Sequence, residues 1–442
     1  MNIQLSDRFT YGKLFRFTLP SVVMMVFTSI YGVVDGFFVS NFVGKTPFAA
    51  VNFIFPFLMI LGTVGFMFGA GGSALIARTM GEGDNHKAQR LFSLFVYVTA
   101  GCGVVLGLIG FVFIRPIAAW LGAEGEMLEN CVLYGRIILP VLPALMLQYE
   151  FQSFFITAEK PQLGLMVTVI AGVANMVLDA LFTAVLPFGL AGAASATAIS
   201  QALGGIIPLF YFGRRNSSRL RLCKTSFDGR ALLKACTNGS SELMSNISMS
   251  IVSMLYNAQL IRYAGEDGIA AYGVLMYVSM IFMAIFIGYS TGVAPVVGYH
   301  FGADNRDELR SLYRKSTVII LASSAAMLGL AEVLAWPLSA IFVGYDPVLF
   351  DMTVGAFGVY SFSFLFSGIA IFGSAFFTAL NDGLTSALIS FLRTLVFQVA
   401  AVLIFPLIWG LDGIWLSIVA AEVMAAVVTL AFLIGKRKKF HY

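Results

Sequence analysis

The sequence predicts an all-α polytopic membrane protein, with twelve transmembrane helices in two six-helix lobes related by a pseudo-two-fold axis along the membrane normal. Three observations carry that expectation. Of 442 residues, 59% are hydrophobic and 11% are charged, against roughly 25% charged in a soluble domain. The apolar residues gather in twelve runs, each near the roughly 20 residues a helix needs to cross a bilayer. The chain also repeats its landmarks at half its length.

The first run, Leu14–Val39, contains one acid, Asp35, with Tyr31 one helical turn before it. A carboxylate at membrane depth costs roughly 2.5–3.5 kcal/mol even on the mild insertion scale, which marks it as a functional site by default. Phe48–Ala77 and Leu91–Phe113 follow, then Cys131–Ile156 with Arg136, Glu150 and Gln152. Leu163–Leu186 carries Asn175 and Asp179, four residues apart in an otherwise apolar stretch. Leu190–Phe212 completes the first half. The second half reads Leu232–Ile261 with Glu242, Ile269–Gly298, Leu312–Trp336 with Glu332, Met352–Thr378, Leu384–Trp409 with Arg393, and Gly413–Ile434 with Glu422.

Positive charge orients these spans, because cytoplasmic loops of membrane proteins are enriched in Lys and Arg. One set of connections, with both termini, holds 22 of the 27 Lys and Arg; the other holds Lys45, Arg115 and Arg262. Both termini are therefore expected in the cytoplasm of a multi-pass protein of the cell (inner or plasma) membrane. The division that follows is a cytoplasmic N-terminal segment over residues 1–13, an N-lobe over 14–213, a basic linker over 214–231, a C-lobe over 232–435 and a basic tail over 436–442. The linker and the tail Lys436-Arg437-Lys438-Lys439 read as orientation signals and lipid-headgroup contacts rather than a nucleic-acid site.

A shift of 221 residues superposes Gly44-x4-Ala49-Ala50 on Gly265-x4-Ala270-Ala271, Gly81 on Gly302, Pro116 on Pro337, and Gly189-Leu190-x-Gly192 on Gly410-Leu411-x-Gly413. Six spans per half leave both halves in the same orientation, which makes the repeats parallel. Two such bundles enclose a central cleft, and rocking them opens it to each side in turn.

The acids give the cleft its chemistry. Tyr31 and Asp35 share one helix face, as do Asn175 and Asp179. Two carboxylates close together in a low dielectric do not both ionise easily, so such a site holds a proton or, ionised, a Na+ in an oxygen cage. The cysteines Cys102, Cys131, Cys223 and Cys236 lack metal or redox spacing. No zinc-protease, serine-elbow or phosphate-loop motif is present, so no catalytic residue, cofactor or bound metal is expected and the chain does not read as an enzyme.

These landmarks resemble the multidrug and toxic compound extrusion (MATE) transporters. The resemblance rests on Pro20, Tyr31 and Asp35, on the doubled loops Met80-Gly81-Glu82-Gly83-Asp84-Asn85 and Phe301-Gly302-Ala303-Asp304-Asn305, and on Asn175-x3-Asp179. Gly192-Ala193-Ala194-x-Ala196-Thr197 completes it. It implies two lobes in a V and export of organic, cationic or amphipathic compounds in exchange for inward H+ or Na+, most simply by a monomer. It also implies that Asp35, Asp179, Asn175, Tyr31 and Thr197 form the cation-coupling cluster and that Pro20 is where the first helix bends. Glu242 resembles an acid that some Na+-coupled members use. Their partner aspartate is missing from Phe357–Phe372, which favours H+ and the N-lobe. Glu242, Glu150 and Gln152 are candidate substrate or cation contacts. The alternative is a lipid-linked precursor flippase of the wider superfamily, whose members often carry more spans and a basic cleft. A major-facilitator transporter is disfavoured because Gly81-Glu82-Gly83-Asp84-Asn85-His86-Lys87 lacks that class's loop pattern.

Overall fold

The computed structural model describes residues 3–442; the first two residues of the expected N-terminal segment lie outside them. Among the described residues every regular element is a helix. The first six spans are Tyr11–Val43, Thr46–Gly81, Asn85–Trp120, Gly125–Thr157, Pro161–Val185 and Gly189–Gly213. The seventh and eighth share the continuous run Gly229–Gly302, and the eleventh and twelfth share Gly383–Phe440. Each run is broken once, at Gly265 (φ 62°) and Gly410 (φ 60°). These left-handed dihedrals come without strain only to a residue lacking Cβ. The ninth span is Arg306–Val343, and Pro347–Tyr360 with Ser363–Ala379, bent by 48°, makes the tenth. Twelve crossings result, as the apolar runs predict.

Local chemistry sets the helix ends. Asp84 caps the third span by accepting from the Lys87 amide at 2.9 Å, and Asn305 caps the ninth by accepting from the Glu308 amide at 3.2 Å. Just before each cap the chain turns through a left-handed residue, Gly83 (φ 89°) and Asp304 (φ 50°), which lie 221 residues apart in the repeat. Asp228 and Asp346 cap the seventh and tenth spans with two amides each.

The lobes meet through the first two spans and the seventh and eighth. A Cβ on Gly71 would strike the Ala235 carbonyl and lie 2.6 Å from the Gly239 nitrogen. One on Gly81 would strike the Tyr299 carbonyl, and one on Gly288 would lie 2.6 Å from the Val22 Cα. All these contacts fall in the halves of the spans nearest the two chain termini, here called the terminal face. Towards the opposite face the first span exposes Ile30, Val33 and Phe37, and the seventh exposes Met249, Ile251 and Met254. The close backbone approaches named here between the lobes therefore gather at the terminal face.

Candidate functional site

The first, fifth and sixth spans bring the N-lobe polar residues together. The Thr197 hydroxyl donates to Asp35 Oδ1 at 3.4 Å, and the carboxyls of Asp35 and Asp179 face each other within hydrogen-bonding reach. Asp179 is fully buried, and neither of its oxygens has a protein donor. Asn175, also buried, brings its amide beside Asp35 without closing a tight bond. Each acid sits just before a π-helical turn, Val39–Val43 after Asp35 and Ala180–Val185 after Asp179. Such turns recur at functional sites because they widen the backbone ladder.

A cavity of about 360 Å³ opens in front of Asp35. Tyr31, Asn175, Thr197, Phe55, Met59 and Tyr149 are among its walls, and Met280 of the eighth span is its contribution from the other lobe. Asp35 is its one charged lining residue; Asp179 stands behind it, out of the lining. Of the lining residues that the sequence left unmarked, two stand beside the expected site residues. Gln148 places its amide beside the Tyr31 hydroxyl, and the buried Tyr134 hydroxyl lies beside Thr197. Both are on the fourth span, where a polar residue among apolar ones carries no signal until packing shows which way it faces.

The remaining expected residues lie elsewhere. Glu150 is completely buried with both oxygens unpartnered, Gln152 is buried beside it in sequence, and neither lines the cavity. Two residues apart, they point to different sides of the fourth helix, and both pack inside the lobe. Glu242 is also outside the cavity. The first helix runs from Tyr11 to Phe38 with Pro20 inside it. Arg136 stands over the Phe111 ring at 5.9 Å. Glu332 accepts from the Ser361 hydroxyl at the bend of the tenth span.

The equivalent spans of the C-lobe carry a different kind of cluster. The Tyr256 hydroxyl, at the position the repeat pairs with Asp35, lies 2.8 Å from Gln398 Oε1 and 2.9 Å from Ser417 Oγ. Beside it Arg393 grips Glu422 with two N–H groups at 2.9 and 3.0 Å. Every charge there has a partner, whereas the N-lobe cavity is lined by Asp35 and no base, with Asp179 behind it.

Comparison with known proteins agrees with this architecture. The MatE family model matches twice, over residues 20–181 and 243–404, once in each half. The multidrug export protein MepA of Staphylococcus haemolyticus is 24% identical over 431 residues, covering 97% of this chain and 94% of its own length. MepA of Staphylococcus aureus strain MRSA252 is 23% identical over 427 residues, covering 95% and 92%. Among solved structures, a MATE protein in complex with MaL6 superposes with a TM-score of 0.93 at 23% identity, over 98% of both chains. An outward-facing multidrug resistance MATE transporter superposes with a TM-score of 0.93 at 24% identity, over 99% of this chain and 98% of its own.

Proposed function

This chain belongs to the MatE family, and from that premise we propose that it is a secondary active antiporter that exports organic cationic or amphipathic compounds in exchange for inward H+. One observation carries the coupling site: Asp179, buried without a donor, faces Asp35, which lines the cavity. A single proton between the two carboxyls supplies the missing donor and removes a charge that low dielectric makes expensive. Thr197 and Asn175 both approach Asp35 with donor groups. Donors suit a carboxylate that gains and loses a proton, while a Na+ cage needs convergent acceptors. Na+ is the second candidate ion, at Asp35, Asn175 and Asp179.

The cycle begins with the cleft open to the cytoplasm, the side that the positive charge assigns to the terminal face. A drug enters while the acid pair is deprotonated, and a cationic drug finds its counter-charge in Asp35. The lobes then close at the terminal face and part on the outside. A proton arriving from outside is shared by the two carboxyls, leaves the pair with one charge in place of two, weakens that counter-charge and releases the drug. Exchange of one H+ for one monovalent cation moves no net charge, so the pH gradient alone drives it. A second proton would add roughly 2.3 kcal/mol per 100 mV of membrane potential. The lipid-precursor flippase is the weaker reading, because an anionic headgroup meets Asp35 and no base among the lining residues.

The test is efflux of a cationic dye from liposomes holding the purified protein, under a pH gradient and separately under a Na+ gradient. Efflux driven by the pH gradient supports H+ antiport. Efflux driven only by Na+ would replace the proton with the oxygen-cage site. No efflux under either gradient from folded protein would overturn the multidrug reading in favour of a narrow exporter or the flippase.

A further inference from the structure

The segment ahead of the first span crosses the terminal face from one lobe to the other. Its residues alternate, with Leu5 and Phe9 at 0% and 1% exposure and Gln4, Ser6, Arg8 and Thr10 facing outward. A turn closed by the Asp7 amide on the Gln4 carbonyl at 3.1 Å shapes it. On the N-lobe side the Leu5 amide donates to Glu159 Oε1 at 2.8 Å, in the loop between the fourth and fifth spans. Arg219 of the linker ties the same end down, donating to Gln4 Oε1 at 3.2 Å and lying 3.7 Å from Glu159. On the C-lobe side the Phe9 amide donates to Glu308 Oε1 at 2.8 Å, and the Lys315 ammonium donates to the Phe9 carbonyl. Both are residues of the ninth span. The Phe9 ring is buried edge-on against Phe17 of the first span.

We propose that residues 3–10 are a latch that holds the lobes together at the terminal face, and that Phe9 with Glu308 and Lys315 is its releasable end. The asymmetry of the attachments decides which end lets go. The strap is continuous with the first span and is bonded to Glu159, both parts of the N-lobe, so that end travels with its own lobe. The Glu308 and Lys315 bonds cross between lobes, and they must break when the first two spans separate from the seventh and eighth. Phe9 then exchanges both protein partners for water, a net loss for each bond. The latch therefore weights the equilibrium towards the conformation closed at the terminal face and slows the return that reloads the transporter.

This inference rests on the alternating-access reading, but its test measures conformation without transport, so a failure of the antiport assignment is seen separately. Spin labels on Lys87→Cys and Arg306→Cys, both exposed at the terminal face on opposite lobes, report the lobe separation by pulsed electron resonance in a background without native cysteines. The wild-type strap should give one dominant, short separation. Phe9→Ala and Lys315→Met should each produce a several-fold larger population at longer separation. If Phe9→Ala does not yield monodisperse protein, Lys315→Met alone decides, since it leaves the buried ring in place. A wild-type distance distribution in folded Lys315→Met would overturn the latch.

Discussion

Asp35 on the first span faces Asp179 on the fifth, and the two acids are unequal: Asp35 borders the cavity and takes the Thr197 hydroxyl, while Asp179 is sealed behind it with no protein donor on either oxygen. Their inequality divides the work of the site. On the proposed antiport reading, Asp35 meets the drug and Asp179 makes the protonation of Asp35 responsive to its surroundings.

Removing the Thr197 hydroxyl should slow the site rather than abolish it. A hydrogen bond to a charged group contributes about 1.5–3 kcal/mol, and one as long as 3.4 Å falls at or below the lower end of that range. Thr197→Val should reduce proton-driven efflux by about tenfold, which corresponds to 1.4 kcal/mol, and should leave folding intact. Initial efflux rates from liposomes check this.

The Arg393–Glu422 pair should behave as a structural tie. Breaking a buried ion pair on one side costs about 3–5 kcal/mol because a charge is left alone; the half-buried Arg393 places this case near the lower figure. Arg393→Met or Glu422→Leu alone should lower the melting temperature in detergent, and the double variant should recover most of the loss. A double variant as unstable as the worse single one would show that the pair does more than neutralise itself.

Gly71 should control which face is closed. Its missing Cβ lets the second span lie against the Ala235 carbonyl and the Gly239 nitrogen of the seventh. A Gly71→Ala methyl has no room there, so the terminal face should open. The prediction is a longer separation between labels on Lys87 and Arg306, with monodisperse protein.

The Asp382–Lys436 pair at the terminal face gives a pH-dependent contribution to stability. Burial opposes ionisation of Asp382, but the Lys436 ammonium at 2.6 Å and the Thr385 hydroxyl at 2.9 Å outweigh it and hold the carboxyl below its usual value. A carboxylate depressed in this way stabilises the fold above its unfolded pKa of about 3.9. That contribution fades as pH falls through the lower folded value. Lys436→Met should therefore melt earlier than wild type at pH 7, and the gap should close as the pH is taken down through the depressed folded value. Thermal unfolding across that pH range checks the sign.

The sequence made some of this legible and hid the rest for physical reasons. Twelve spans could be read because bilayer thickness fixes the length of an apolar run, and the Gly265 and Gly410 breaks left glycines at matching places in the two halves. Asp35, Asn175 and Asp179 could be singled out because acids and amides are rare at that depth, while Thr197, one hydroxyl among many in the spans, was marked only by the family resemblance. Gln148 and Tyr134 could not, since their part depends on which side of the fourth helix faces the cavity. Glu150 and Gln152 drew attention as polar residues on that same helix, and packing turned them away from the cavity. The strap was invisible because eight residues ahead of a span are too short a stretch for their alternation to stand out, and the partners of Leu5 and Phe9 lie 154 and 299 residues away.

The central claim is that the N-lobe acid pair exchanges a proton for drug. Its most direct test is proton release from purified protein in weakly buffered detergent on addition of a cationic dye, with wild type and Asp35→Asn compared in the absence and presence of Na+. The account predicts that dye binding releases protons from the wild type, that Na+ does not replace the effect, and that Asp35→Asn releases none while remaining folded. Equal proton release from Asp35→Asn and wild type would contradict it, because the proton would then come from elsewhere in the protein.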